Sequence, residues 1–187
     1  HAAAQMALMA LHTQITPIVR VPSLEAPAMN RILDAGAMGI VAPHVENAQQ
    51  ARQVVRACKF APLGERSVAG AWPHFSYAAM PAEEIRRTLN DETLVVVMLE
   101  SPQAVANADD IAAVQGVDVV HIGSTDLCDA LGIPGQFAHP SIEQAFQSVL
   151  NACRKHGKIC GAGGLGSAPE VAQKMIQKGV RFITAGN

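Results

Sequence analysis

The sequence predicts an α/β fold built on a parallel sheet, and three observations lead there. Short β-branched runs recur at residues 17–21, 38–42, 94–99, 117–122, 158–162 and 181–185. Each is almost continuously apolar, the pattern of a strand covered on both faces. Longer amphipathic stretches separate them, and strand–helix alternation of this kind gives parallel pairing through right-handed crossovers. Finally, 187 residues at 49% hydrophobic can bury a sizeable core within one domain.

Taken in order, the helices carry their own signals. A helical pattern precedes the first strand. Ala48, Ala51, Val55 and Cys58 fall on one helical face after the second. Ser101-Pro102 places a cap before a first-turn proline after the third. Ile142, Ala145, Phe146, Val149, Leu150 and Cys153 form a long apolar stripe before the fifth. Ser167-Ala168-Pro169-Glu170 fits a capping box, and Gly157 and Gly179 stand where helices should stop. An open doubly wound sheet and a (β/α)8 barrel both satisfy this order. No Gly-rich nucleotide turn follows Val21, and Gly161-Ala162-Gly163-Gly164-Leu165-Gly166 comes late and has no phosphate-loop lysine. Those glycines read either as a loop closely approached by ligand or neighbour, or as plain turn chemistry. Six strands with ragged ends suit a barrel of about 250 residues, here a fragment lacking its first strand or strands and its last helix. Residues 1–187 are thus expected to be a single (β/α)8 TIM-type barrel domain, incomplete at both ends: the chain opens without an initiator Met and closes on a strand-like run.

Composition narrows the function classes. Charged residues are 16% of the chain and the formal net charge is -2, so disorder is excluded. Without a Lys/Arg run, neither a nucleic acid nor a membrane surface is an expected partner. No apolar stretch approaches the roughly 18 residues of a membrane span. Cys58, Cys128, Cys153 and Cys160 show no CxxC spacing and read as reduced, mostly buried thiols of a cytoplasmic protein.

In a parallel α/β protein, chemistry sits at the carboxyl ends of the strands. The polar residues there are Arg20, His44 with Glu46, Glu100 with Ser101, the run Ser124-Thr125-Asp126, and Gly163-Gly164. Glu100 and Asp126 end consecutive strands, which are neighbours in a barrel. Two carboxylates with open positions suit Mg²⁺ or Mn²⁺, with Co²⁺ a further candidate, and not zinc. The alternative is that Glu100 is an exposed loop acid and Asp126 caps a short helix over residues 127–131. Arg66, in a Gly/Pro loop, could stabilise an oxyanion or carboxylate, or be a solvated loop cation. His44 could bind substrate or be a rim histidine. His74, beside Trp72 and Tyr77, reads as packing, and His139 before Pro140 as a helix-entry residue.

These motifs together resemble the HpcH/HpaI aldolase family, the class II pyruvate aldolases. The residues that carry the likeness are Pro17-Ile18-Val19-Arg20-Val21-Pro22; Leu33-Asp34-Ala35-Gly36-Ala37-Met38-Gly39-Ile40-Val41-Ala42-Pro43-His44-Val45; Pro62-Leu63-Gly64-Glu65-Arg66-Ser67; and Leu99-Glu100-Ser101. It continues through Gly116-Val117-Asp118-Val119-Val120-His121-Ile122-Gly123-Ser124-Thr125-Asp126-Leu127 to His139-Pro140. The resemblance implies a (β/α)8 barrel with a divalent metal on Glu100 and Asp126. It implies that Arg66 stabilises a pyruvate enolate, and that backbone groups around Gly123, Ser124 and Thr125 hold the pyruvate carboxylate. The expected reaction is reversible cleavage of a 4-hydroxy-2-keto acid to pyruvate and an aldehyde, in a cytoplasmic homo-oligomer whose last helix packs on a neighbouring subunit.

Three departures accompany the likeness. Met98 stands where the family usually has Gln, removing a polar contact near the pyruvate. The small turn of the family reads Gly123-Ser124-Thr125-Asp126 here, which adds hydroxyls. The family's catalytic histidine follows an Asp-x-Glu element. His1 has no Glu before it and lies several residues too close to the first strand, so the base is expected in a region preceding this chain. The alternatives are an oxaloacetate decarboxylase or macrophomate-synthase-like enzyme using the same enolate, and a non-catalytic scaffold subunit.

Overall fold

A computed structural model describes residues 2–68 and 70–186. His1, already disfavoured as the base, lies outside the described residues. The elements are α1 (Ala2–His12), β1 (Ile18–Arg20), α2 (Ala26–Asp34), β2 (Gly39–Ala42), α3 (Ala48–Cys58), α4 (Ala82–Glu92) and β3 (Leu94–Leu99). They continue as α5 (Pro102–Ala106), α6 (Ala108–Ala112), β4 (Val119–Gly123), α7 (Ser124–Ala130), α8 (Pro140–His156), β5 (Ile159–Gly163), α9 (Pro169–Lys178) and β6 (Phe182–Ile183). All six predicted strands form, and the architecture is a parallel-strand α/β fold.

Two compact units divide the chain. One comprises His1–Ala42 with Arg52–Val95; the other comprises Pro43–Ala51 with Val96–Asn187. In the first, β1 pairs in parallel with β2 in the register Val19↔Ile40. The amide of Leu94, at the start of β3, donates to Met38 O at 2.9 Å. Phe60, Trp72, Ile85 and Leu89 make a buried cluster on which Val68, Phe75 and Met80 pack. The Lys59 ammonium is buried here and donates to the carbonyls of Asn90 (2.7 Å) and Thr93 (2.5 Å), completing the end of α4.

In the second unit β3, β4, β5 and β6 pair in parallel and in chain order. The registers Met98↔His121 and Leu99↔Ile122 carry β3 onto β4, and Gly123↔Gly163 carries β4 onto β5. Helix α8 forms as its stripe predicts, with Ile142, Ala145, Phe146, Val149, Leu150 and Cys153 buried. His139 is its N-cap, its Nδ1 accepting from Ser141 N. Gly157 closes the helix at φ 65°, a conformation glycine adopts freely.

Two local expectations are corrected. Ser167 caps nothing: α9 has Ala168 at its N-cap with no side-chain cap bond. Asp126 is not a cap either, because α7 starts directly at Ser124 with Gly123 as N-cap and Asp126 in its first turn. The strand runs straight into the helix, leaving no loop in which Asp126 could precede it. The four cysteines are buried, and none is in a disulfide among the described residues. Among the described residues no helix is long and apolar enough to cross a membrane.

Candidate active site

Glu100 follows the last residue of β3, where the sheet delivers it to the strands' carboxyl ends. It is 4% exposed, which removes the reading of an exposed loop acid. Room for it comes from Gly123 across the register: a Cβ there would sit 2.6 Å from Glu100 Cγ. One carboxylate oxygen, Oε2, accepts from the backbone amide of His44 at 2.7 Å and lies 2.9 Å from His44 Nδ1. His44 reaches both contacts because its backbone turns at φ 52°, a left-handed conformation uncommon for non-glycine residues. Its imidazole is otherwise open, with 64% of the side chain exposed.

The segment carrying His44 is itself strapped to β3. Val45 N donates to Met98 O at 3.0 Å. Ser101 Oγ donates to both carboxylate oxygens of Glu46, at 2.9 and 2.7 Å, and also caps α5 by accepting from Ala104 N. Asn107 Nδ2 donates to Glu46 O at 2.7 Å. Glu46 therefore orients the loop that orients Glu100, a role its position after a strand did not reveal.

Ser124, Thr125 and Asp126 open α7 directly after Gly123. Ser124 is fully buried, and its Oγ has no hydrogen-bond partner among the described residues. Asp126 and Thr125 are exposed. Thr125 is seated under Gly164, where φ is +76° and a Cβ would lie 2.5 Å from Thr125 Oγ1. The Gly-rich run after β5 thus makes a close approach to the start of α7.

Arg66 belongs to the other unit. It is 5% exposed, so it is not a solvated loop cation. Its guanidinium lies 4.8 Å over the Phe60 ring and 4.7 Å over the Trp72 ring. Nη2 donates to Asp34 Oδ1 at 2.9 Å, while Nε and Nη1 are buried without partners among the described residues. Burial pulls the Arg66 pKa down and the hydrogen bond to Asp34 opposes it, but an arginine remains charged. A guanidinium in an aromatic cage, with two donors unpaired among the described residues, has the chemistry to bind an anion. His74 proves to be packing, its Nε2 3.0 Å from Ala37 O and its ring tilted against Trp72.

One buried polar residue escaped the sequence reading. His121 interrupts the apolar run of β4 and is 2% exposed. Its signal was a lone imidazole in Val119-Val120-His121-Ile122, with Gly161 opposite it in register.

The chemistry of the donor set agrees with a hard divalent cation. One carboxylate, Glu100, follows β3 and is cradled by Gly123; the other, Asp126, lies in the first turn of the helix that follows the paired strand β4. Among the described residues, no group of three or more His, Cys, Asp or Glu is arranged to hold a metal ion. Such a cation keeps positions for water and substrate oxygens and needs no all-protein cage. A groove of about 670 Å³ is lined by residues such as Val105, Leu127, Ser148 and Lys155, and its lining includes neither carboxylate.

The family model for HpcH/HpaI aldolase/citrate lyase matches residues 1–187. The chain belongs to that family. Among HpcH/HpaI relatives, a 4-hydroxy-4-methyl-2-oxoglutarate aldolase of Hapsidospora irregularis is 40% identical over 165 residues, covering 87% of this chain and 61% of that protein. A 2-keto-3-deoxy-L-rhamnonate aldolase of Escherichia coli O9:H4 (strain HS) is 35% identical over 170 residues, covering 91% of this chain and 62% of that protein. The crystal structure of an HpcH/HpaI aldolase from Desulfitobacterium hafniense DCB-2 superposes with a TM-score of 0.88 at 31% identity, covering 96% of this chain and 69% of that one. The chain thus spans about three fifths of the length of these two curated HpcH/HpaI relatives.

Proposed function

We propose that the protein is a metal-dependent pyruvate aldolase, cleaving a 4-hydroxy-2-keto acid to pyruvate and a carbonyl product. The observation that carries this reading is Glu100, buried against Gly123 and held by His44, one strand from Asp126. Two relatives named as 2-keto acid aldolases, 35–40% identical, support it. The reading extends to residues 1–187 as one domain of a (β/α)8 barrel in a cytoplasmic homo-oligomer; the likeness to the HpcH/HpaI aldolase structure from Desulfitobacterium hafniense supports the barrel.

Glu100 and Asp126 would hold Mg²⁺, Mn²⁺ or Co²⁺. Once bound, such an ion supplies Lewis-acid polarisation of the keto group. Ser124 Oγ and the amides that open α7, at Ser124 and Thr125, offer donors to the carboxylate of the keto acid, beside the bare Gly123. His44 fixes the orientation of the Glu100 carboxylate. Arg66 would turn one of its two remaining donors, on Nε or Nη1, to the enolate oxygen as the carbon–carbon bond breaks, an electrostatic effect worth about 3 kcal/mol. The hydroxyl proton would pass to a base outside the described residues. Among the described residues a Schiff-base route finds no strand-end lysine: Lys59 serves the end of α4, and Lys158 Nζ donates to Val117 O at 2.7 Å.

The test is exchange of pyruvate methyl protons into D₂O with and without added Mn²⁺, which isolates enolate formation from the unknown carbonyl partner. Metal-dependent exchange, with pyruvate release from 4-hydroxy-4-methyl-2-oxoglutarate or 2-keto-3-deoxy-L-rhamnonate, is expected. Exchange accompanied by pyruvate release from oxaloacetate alone would favour a decarboxylase. Failure to bind metal and pyruvate in calorimetry would leave a non-catalytic scaffold.

A further inference from the structure

We propose that His121 is a substrate-binding residue, its Nε2–H donating to an oxygen of the bound 2-keto acid from the sheet beneath Glu100. This rests on the aldolase reading above. Four observations converge on it. First, His121 and Gly123 share a face of β4, and that face meets Glu100, since a Cβ on Gly123 would strike Glu100 Cγ. Second, two glycines of β5 clear a slot for the ring. A Cβ on Gly161 would lie 2.5 Å from Nδ1, and one on Gly163 would lie 2.6 Å from Nε2. Because Gly161 pairs with His121 and Gly163 with Gly123, the Nε2 end is level with Gly123 and Glu100, and the Nδ1 end is one step deeper.

Third, packing alone does not account for an imidazole here. Among the described residues Nδ1 is buried without a hydrogen-bond partner, and none hydrogen-bonds Nε2. A buried polar group left unpaired is unfavourable, whereas a phenyl ring would fill the same slot beside Phe182, whose ring stands edge-on at 5.6 Å. Fourth, burial holds the imidazole pKa down at about 4, so the ring is neutral near pH 7 and carries one donor. Its register partner Met98 offers no hydrogen-bond donor, so among these two paired side chains only His121 can contact the substrate in this way.

The experiment uses the intact, Mg²⁺-loaded protein and pyruvate as probe. In the wild type, the ¹⁵N resonance of His121 Nε2 should shift on pyruvate addition. His121→Phe should weaken pyruvate binding in calorimetry roughly tenfold, the scale of one hydrogen bond to a charged group. Its Mg²⁺ affinity should stay within about twofold, and its resistance to urea should be equal or greater. His121→Gln, which keeps a donor, should lose less. Should the Phe variant fail to fold, His121→Met provides the same comparison. Wild-type pyruvate binding with an unmoved His121 resonance, or unchanged affinity in the apolar variants, overturns this inference alone. No pyruvate binding by the wild type overturns the aldolase reading and this inference with it.

Discussion

At the residue scale, the carboxylates and Arg66 make separable predictions. Glu100→Gln and Asp126→Asn should each abolish metal-dependent turnover with unchanged circular dichroism, because the proposed site, with only two protein ligands, would have no redundancy; near-normal turnover at low metal would show that the residue is not a ligand. Arg66→Ala should lower kcat by roughly 10²–10³, the scale of one lost oxyanion donor. It should also lower stability by about 1–3 kcal/mol, since a guanidinium between Phe60 and Trp72 is removed. Arg66→Lys should be poor as well, because an ammonium cannot hold Asp34 and present two further donors in one plane. Pyruvate-proton exchange and urea unfolding separate the two effects. The place of Glu100 at the carboxyl end of a strand was legible because it closes an apolar run. The Asp34 partner of Arg66 and the Glu46–Ser101 bond were not, because those contacts span 32 and 55 residues of sequence and only folding brings them together.

At the element scale, period and caps carried most of the fold. The stripe on α8 announced its buried face, so Phe146→Ala should destabilise by about 3–5 kcal/mol, read as a lowered urea midpoint. Ser101→Ala should cost about 1 kcal/mol from the α5 cap and additionally loosen Glu46. Its measurable consequence is a weaker metal affinity, since Glu46 anchors the loop that contacts Glu100. Where the sequence misled, at Ser167 and Asp126, a capping residue type was present but the chain entered the helix at a different residue. Short helices such as α5 and α6 carry too few turns to show a period at all.

At the scale of the whole molecule, stability should fall on mild acidification. His121 has a folded pKa near 4 against about 6.5 when unfolded, so the unfolded chain binds the extra proton. Its contribution is intact above pH 6.5, declines as pH falls from there toward 4, and levels off below. The total is roughly 3 kcal/mol, from about 2.5 pKa units. Burial of His74 acts in the same direction. The carboxylates of Glu143 and Asp109, held below their usual range by lysine and histidine partners, give way only at lower pH. Urea midpoints at pH 7, 5.5 and 4.5 should therefore fall steeply in the wild type and less so in His121→Phe; parallel slopes would remove His121 as the cause.

The buried thiols give the molecule a built-in clock. Cys58 lies in one compact unit, and Cys128, Cys153 and Cys160 lie in the other. An alkylating reagent can reach none of them until the surrounding structure opens, so each modification timestamps the opening of its own unit. Mass spectrometry of peptides alkylated at rising urea would resolve the order. Labelling of Cys58 in step with the other three means that the two units melt as a single cooperative block; labelling of Cys58 at lower urea means that they come apart in sequence.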